Sequence, residues 1–200
     1  TKYLILCHEN IKDAQRYMPE FLDEIIKKNL ECIKFLKTPD DQVPFFNGAS
    51  ESNLKYFDKY LENFKVKKKE KTETLGGLFF AKAKQQVFYI DVGSPPSKNF
   101  SRNYQSGPLS FEYFLDGTKI ITNCGFGSNI SSKAELLSRL TASQSTLTIN
   151  DTSITSFERN KLINRVFGNS IKNTFKTSGL NFSNDKNLIG CSVAHNGYER

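Results

Sequence analysis

Tryptophan is absent, methionine occurs once, and histidine occurs only twice among 200 residues. The missing tryptophan removes a common sugar-stacking platform, although tyrosine can serve. The two histidines, His8 and His195, are far apart, so no pair stands at metal-ligand spacing. The four cysteines, Cys7, Cys32, Cys124 and Cys191, form no Cys-x-x-Cys pair. That spacing excludes a zinc knuckle or a thioredoxin motif. Cys7 and Cys32 sit in helix-like apolar contexts, where buried free thiols are expected. No run of 18 apolar residues is present, so no membrane span is expected. No RNP-like, zinc-finger or helix-turn-helix pattern occurs, which argues against nucleic acid as the partner. The N-terminal apolar stretch covers five residues and lacks a small-residue cleavage site, so it does not read as a signal peptide. It reads as the middle of a helix, and the chain is expected to be part of a longer protein.

What is present is a moderately basic, apolar-rich sequence. It is 38% hydrophobic and 24% charged, too apolar for a disordered chain. The net charge is +7, with 17 Lys/Arg against 14 Asp/Glu in residues 1–100 and 11 against 7 in the remainder. Such a field favours acidic partners without choosing among them. Sequons at Asn99, Asn129, Asn150 and Asn181 carry little weight in a chain this rich in Asn, Ser and Lys.

The hydrophobic period changes along the chain. Over 18–36, Met18, Leu22, Ile25, Ile26, Ile33 and Leu36, with Phe21 and Leu30, recur at helical spacing, and Pro19 suits the first helical position. Thr38-Pro39-Asp40-Asp41 ends that helix. A second helix is expected over about 52–64, capped by Ser50 or Ser52. Lys65–Lys71 reads as a solvated linker. Beyond residue 75 the period becomes two. Strands are expected at 78–81, 87–92, 109–114, 119–123, 146–150 and 189–194, with Asp116-Gly117 as a hairpin turn. Ser132–Leu140 alone looks helical in this half. Helices first and antiparallel strands afterwards indicate an α+β chain.

Several segments carry a resemblance. They are Phe45-Phe46-Asn47-Gly48, Asp91-Val92-Gly93-Ser94-Pro95-Pro96, and Phe100 to Glu112 followed by Asp116-Gly117. Then come Ile120-Ile121-Thr122-Asn123-Cys124-Gly125, Thr141 to Leu147, and His195-Asn196-Gly197-Tyr198. Their order and spacing resemble the C-terminal β domain of the heparinase II/III-like family, over roughly residues 40–200 and closest to a bacterial branch. The resemblance implies the last helices of an (α/α) toroid over 1–68, followed by the first part of an antiparallel β-sandwich over 69–200. It implies a polysaccharide lyase of the periplasm or cell envelope, cleaving uronate-containing chains by β-elimination. The alternative is a non-catalytic relative that binds envelope glycan or assists polysaccharide assembly.

The departures from the family pattern bear on the site. Asn103, Gln105 and Gly107 fall on a His-x-His-x-Asp motif, and Gln144 falls on a later His. An amide does not titrate and is a poor zinc ligand. The family's metal site is therefore expected to be lost, with no cofactor. The remaining catalytic positions are Gln105 and Tyr104, the latter an acid/base candidate by type or a loop tyrosine packed on the sheet. Gln105 and Gln144 contact sugar or hydrogen-bond each other across two strands. Arg102 grips a carboxylate or sulfate, or forms a surface ion pair. Asn47 faces a cleft or serves as a turn residue. His8 is packed, and His195 orders its turn.

Overall fold

The computed structural model describes residues 1–67, 69–184 and 189–199. Three helices come first: α1 (Lys2–Asp13), α2 (Glu20–Leu36) and α3 (Asp58–Asn63). Leu22, Ile26 and Leu30 recur every four residues on one face of α2 and pack with Ile5 of α1 and Leu61 of α3. Phe21 and Ile25, counted above on the apolar face, point outward. Pro19 is the extended cap of α2 rather than its first turn. The second predicted helix is shorter than expected. A 3-10 turn at Lys55–Phe57 leads into α3; its N-cap is Leu54 rather than a serine, and Lys55 N donates to Asn53 Oδ1 at 2.9 Å.

A five-stranded antiparallel sheet follows, with each strand beside the next: β1 (Thr72–Leu75), β2 (Leu78–Ala83), β3 (Gln86–Asp91), β4 (Phe111–Leu115) and β5 (Thr118–Ile121). The tight turns are those the sequence supplies. Asp116 and Gly117 both have positive φ, 51° and 81°, as a two-residue hairpin requires. Strand β1 was not anticipated. It pairs with β2 through the Gly76-Gly77 turn, both glycines at positive φ. The helix α4 (Ser132–Ser138) matches expectation, while α5 (Lys161–Phe167) carries no strong periodic signal. A hairpin of β6 (Thr177–Asn184) and β7 (Ile189–His195) makes a second sheet. It meets the first where Phe182 stacks on Phe79, ring centroids 4.7 Å apart.

The expected strand at 146–150 is a loop with one bridge, Ile149 to Thr152. Its polar side chains take over the role of a ladder. Thr146 Oγ1 donates to Pro108 O at 2.7 Å, and Ser145 Oγ donates to Phe111 O. Leu147 and Ile149 are left exposed. All four cysteines are free, as expected, but Cys7, Cys32 and Cys124 are exposed rather than buried.

Alternation in β2 and β3 turns Phe80, Val87 and Tyr89 toward Phe35, Phe46 and Phe114. This cluster joins the end of α2 to the sheet. The linker reading of Lys65–Lys71 is corrected at Lys69, whose side chain enters this joint and donates to Lys37 O and Tyr89 Oη. Lys68 lies outside the described residues. A third cluster, of Tyr104, Ile154, Phe157, Ile171 and Phe175, supports the loops after β3.

Candidate functional site

Asn47, Arg102, Tyr104, Gln105 and Gln144 lie on three loops rather than on strands. The structure ties these loops together through Gln105, which is 1% exposed. Gln105 Oε1 accepts from Gly48 N at 3.0 Å. Its Nε2 donates to Gly125 O at 2.9 Å and to Ser138 O at 2.8 Å. Its backbone N donates to Asn47 Oδ1 at 3.4 Å. A buried amide with its oxygen and both hydrogens committed is a structural hub. The loop around Gly48 comes in close because Gly48 has φ +95° and no Cβ. A Cβ there would lie 2.7 Å from Asn103 Cβ.

Gln144 is also buried, and its Nε2 donates to Ser138 O at 2.7 Å. Gln105 and Gln144 therefore do not bond each other across two strands. They converge on one carbonyl, at the end of α4.

Tyr104 is buried in the third cluster, and among the described residues its hydroxyl has no hydrogen-bond partner. Burial, with the nearby Asp91 charge, pushes its pKa far above the ordinary tyrosine value. The structure thus sets Tyr104 and Gln105 among core groups rather than at the surface.

Asn47 is exposed and left-handed, with φ 47°, as a turn residue. Its Nδ2 donates to Asp91 Oδ2 at 3.0 Å, which leaves one amide hydrogen uncommitted. Asp91 is 5% exposed, and its other oxygen accepts from Gly93 N at 3.1 Å. Burial raises the Asp91 pKa to about 6, against the pull of those two hydrogen bonds.

Arg102 is exposed. Among the described residues no carboxylate pairs with it. Its stem lies over Gly168, where a Cβ would approach Arg102 Cγ to 2.7 Å.

The residue that sequence reasoning missed is Arg139. It is fully buried and, among the described residues, has no carboxylate partner. Its guanidinium donates to Tyr104 O (2.8 Å), Asn169 O (2.6 Å) and Ser101 O (2.8 Å), and it lies 4.1 Å from the Phe157 ring centre. Burial lowers its pKa to about 10, well within the charged range at neutrality. Arg139 brackets the loop that carries Arg102. Nothing in Ser138-Arg139-Leu140 distinguishes it in sequence from a surface arginine at a helix end. Asp91 was visible as the start of the Asp91-Val92-Gly93-Ser94-Pro95-Pro96 segment, but nothing in the sequence showed that its carboxyl is buried beside Asn47.

The two histidines sit apart from these loops. His8 Nε2 lies 3.0 Å from Asp23, on the helical side. His195 Nδ1 accepts from Gly197 N at 3.0 Å and orders its turn, as expected. Among the described residues no three His, Cys, Asp or Glu side chains converge as a metal site.

The profile of the family described as heparinase II/III-like, C-terminal, matches residues 70–200. No curated protein sequence matches at a significant level. Among solved structures, heparan sulfate lyase HepC from Pedobacter heparinus is similar at 14% identity and TM-score 0.63, over 95% of this chain and 31% of that one. A mutant of that lyase superposes with TM-score 0.65 at 14% identity, over 90% and 30%. A structure of heparinase III follows at TM-score 0.56 and 13% identity, over 90% and 33%. At these identities the likeness is one of fold, and the chain spans about a third of the length of those structures.

Proposed function

Because the chain belongs to the heparinase II/III-like family, we propose that it engages an acidic, uronate-containing polysaccharide. In this reading it is the substrate-gripping portion of a β-eliminating lyase at the cell envelope. The observation that carries the proposal is Arg102: an exposed guanidinium, unpaired among the described residues, on a loop that Arg139 and Gln105 hold still. A planar fork on a held loop, unpaired among the described residues, suits a carboxylate or sulfate, to which it makes two directed bonds. Holding the loop backbone in advance reduces the part of the binding entropy that loop ordering would cost.

β-Elimination needs the uronate carboxylate neutralised, a base for the C5 proton and an acid for the departing O4. Arg102 serves the first need, with the free amide hydrogen of Asn47 as a second donor. Gln105 and Gln144 serve neither of the others, since amides do not titrate. In this proposal the base and acid come from groups other than this pair, and the pair positions the loops.

The same two residues fit a metal poorly. Both Nε2 atoms present hydrogens to Ser138 O, and Gln105 Oε1 is taken by Gly48 N. Glycine at 107 supplies no ligand. Elemental analysis of the purified protein is therefore expected to find no stoichiometric zinc, and one tight zinc per chain would contradict this reading.

The second reading, a non-catalytic glycan binder, is favoured by the full commitment of Gln105 to backbone groups. Calorimetric titration with an acidic oligosaccharide at two salt concentrations tests the grip. Arg102→Ala is expected to weaken binding at least tenfold, about 1.4 kcal/mol. Replacing Lys65, Lys67 and Lys71 together with Gln is expected to do less, with an effect that vanishes at high salt. The opposite pattern would replace the Arg102 model with diffuse polyanion attraction. Ultraviolet detection of unsaturated uronyl product then separates a lyase from a binder.

A further inference from the structure

Lys69 stands between α2 and the sheet, among groups that are poor company for a charge. Its Nζ lies 4.5 Å from the ring centre of Phe80, 5.1 Å from Tyr89 and 5.9 Å from Phe35. Among the described residues it has two acceptors, Lys37 O at 2.8 Å and Tyr89 Oη at 2.5 Å. The Tyr89 hydroxyl, itself fully buried, faces Phe35 O and Lys37 O at 3.1 Å each. These carbonyls belong to the C-terminal end of α2, which has no helical partners to offer them. Lys69 and Tyr89 therefore close the helix end onto strand β3.

A neutral amine has two N–H donors, and two acceptors are present. An ammonium has three, and the third would face ring carbon inside the box. The charged neighbours act in both directions. Glu73 of β1 favours the ammonium, whereas Lys34 and Lys37 of α2 and Lys82 of β2 oppose it. The Lys37 charge is balanced by Asp41, at 2.9 Å, and by Asp58. The ring faces and the helix end also attract a cation.

We propose that Lys69 is a proton-controlled pin between α2 and the sheet: as the neutral amine it seats in the aromatic box, and on taking up a proton it loosens the joint. Desolvation outweighs the attractions and lowers the Lys69 pKa to about 7, so the change falls near neutrality. Phe46, next to Asn47, packs in the same cluster. A looser joint thus reaches the candidate site.

The folded pKa lies below the unfolded value of about 10.5. Between those limits the unfolded chain holds more protons, so stability rises with pH from about 7 to about 10 and is flat below 7 as far as Lys69 is concerned. The test is twofold. The ¹³Cε resonance of Lys69 is expected to titrate with a midpoint near 7 in the wild-type protein, and a midpoint above 9 would overturn the proposal. The melting temperature of the wild type is expected to rise across pH 7 to 9.5, while Lys69→Met stays flat, and parallel profiles would overturn it. The Lys37 amide, which donates to Ile33 O at 2.8 Å at the end of α2, reports the joint itself. Its exchange protection factor is expected to fall about tenfold from pH 8 to pH 6 in the wild type. An unchanged factor counts against loosening. Where Lys69→Met fails to fold, the resonance and the protection factor decide alone.

Discussion

A Cβ built on Gly107 would lie 2.8 Å from Gln144 Cγ and 3.0 Å from both Gln144 Cβ and Ser110 Oγ. The side chain at 144 thus fills the space that any side chain at 107 would need, and the two positions are coupled. Gly107→Ala is expected to destabilise by about 1–3 kcal/mol through overpacking. Placing Gln144→Ala in the same chain should recover part of that loss, a non-additivity that urea unfolding of the two singles and the double will read. Additive effects would mean that the contact relaxes freely. Asp91 gives a second expectation at this scale. Its folded pKa, about 6, lies above the ordinary 3.8, so the native state holds the proton longer than the unfolded chain. Stability from this group is therefore highest below pH 4 and falls as pH rises to about 6, by about 3 kcal/mol over the two-unit shift. Asp91→Asn should remove that slope while leaving the rest of the pH profile in place, as followed by chemical denaturation from pH 4 to 7. The sequence made the amides at 105 and 144 visible as departures from a pattern. It did not reveal that both address Ser138 O, because a common acceptor on a third loop leaves no trace in spacing.

At the scale of elements, the periodic ones were legible and the ones built by side-chain bonding were not. The four-residue recurrence in α2 and the Asp116-Gly117 hairpin follow from local chemistry and were found. The loop at 146–150 alternates like a strand, yet Ser145 and Thr146 bond backward to Phe111 O and Pro108 O. Tertiary bonding overrode propensity there. Lysines at 65–71 read as solvated because six of the seven positions are not apolar, and composition cannot tell which lysine turns inward. The helix α4 is short and depends on its cap, where Ser131 Oγ accepts from Ala134 N at 3.0 Å. Ser131→Ala is expected to cost about 1 kcal/mol. Because Ser138 O at the far end of α4 receives both glutamines, faster amide exchange at the Gln105 and Gln144 side chains should accompany the loss.

For the whole molecule, the order of helices first and antiparallel strands afterwards was readable, and the structure bears out an α+β chain. The joint between the parts was not readable, because it is made by residues far apart in sequence: Phe35, Lys69, Tyr89 and Phe114. The five strands pair only with their sequence neighbours, so β1–β3 and β4–β5 can each form through tight turns, and the long connection between β3 (ending at Asp91) and β4 (starting at Phe111) is the costlier closure. The loops of the candidate site have the opposite character. Arg139 reaches Ser101, Tyr104 and Asn169, and Ser101 Oγ accepts from Ile171 N at 3.0 Å, 70 residues away. Those contacts close long segments, and on entropy grounds they belong late in folding. Arg139 is then a lock that sets after the scaffold stands. Replacing it with methionine should accelerate unfolding strongly and leave the refolding rate almost unchanged, so the lifetime of the surface that carries Arg102 is set by a residue that does not help it to form.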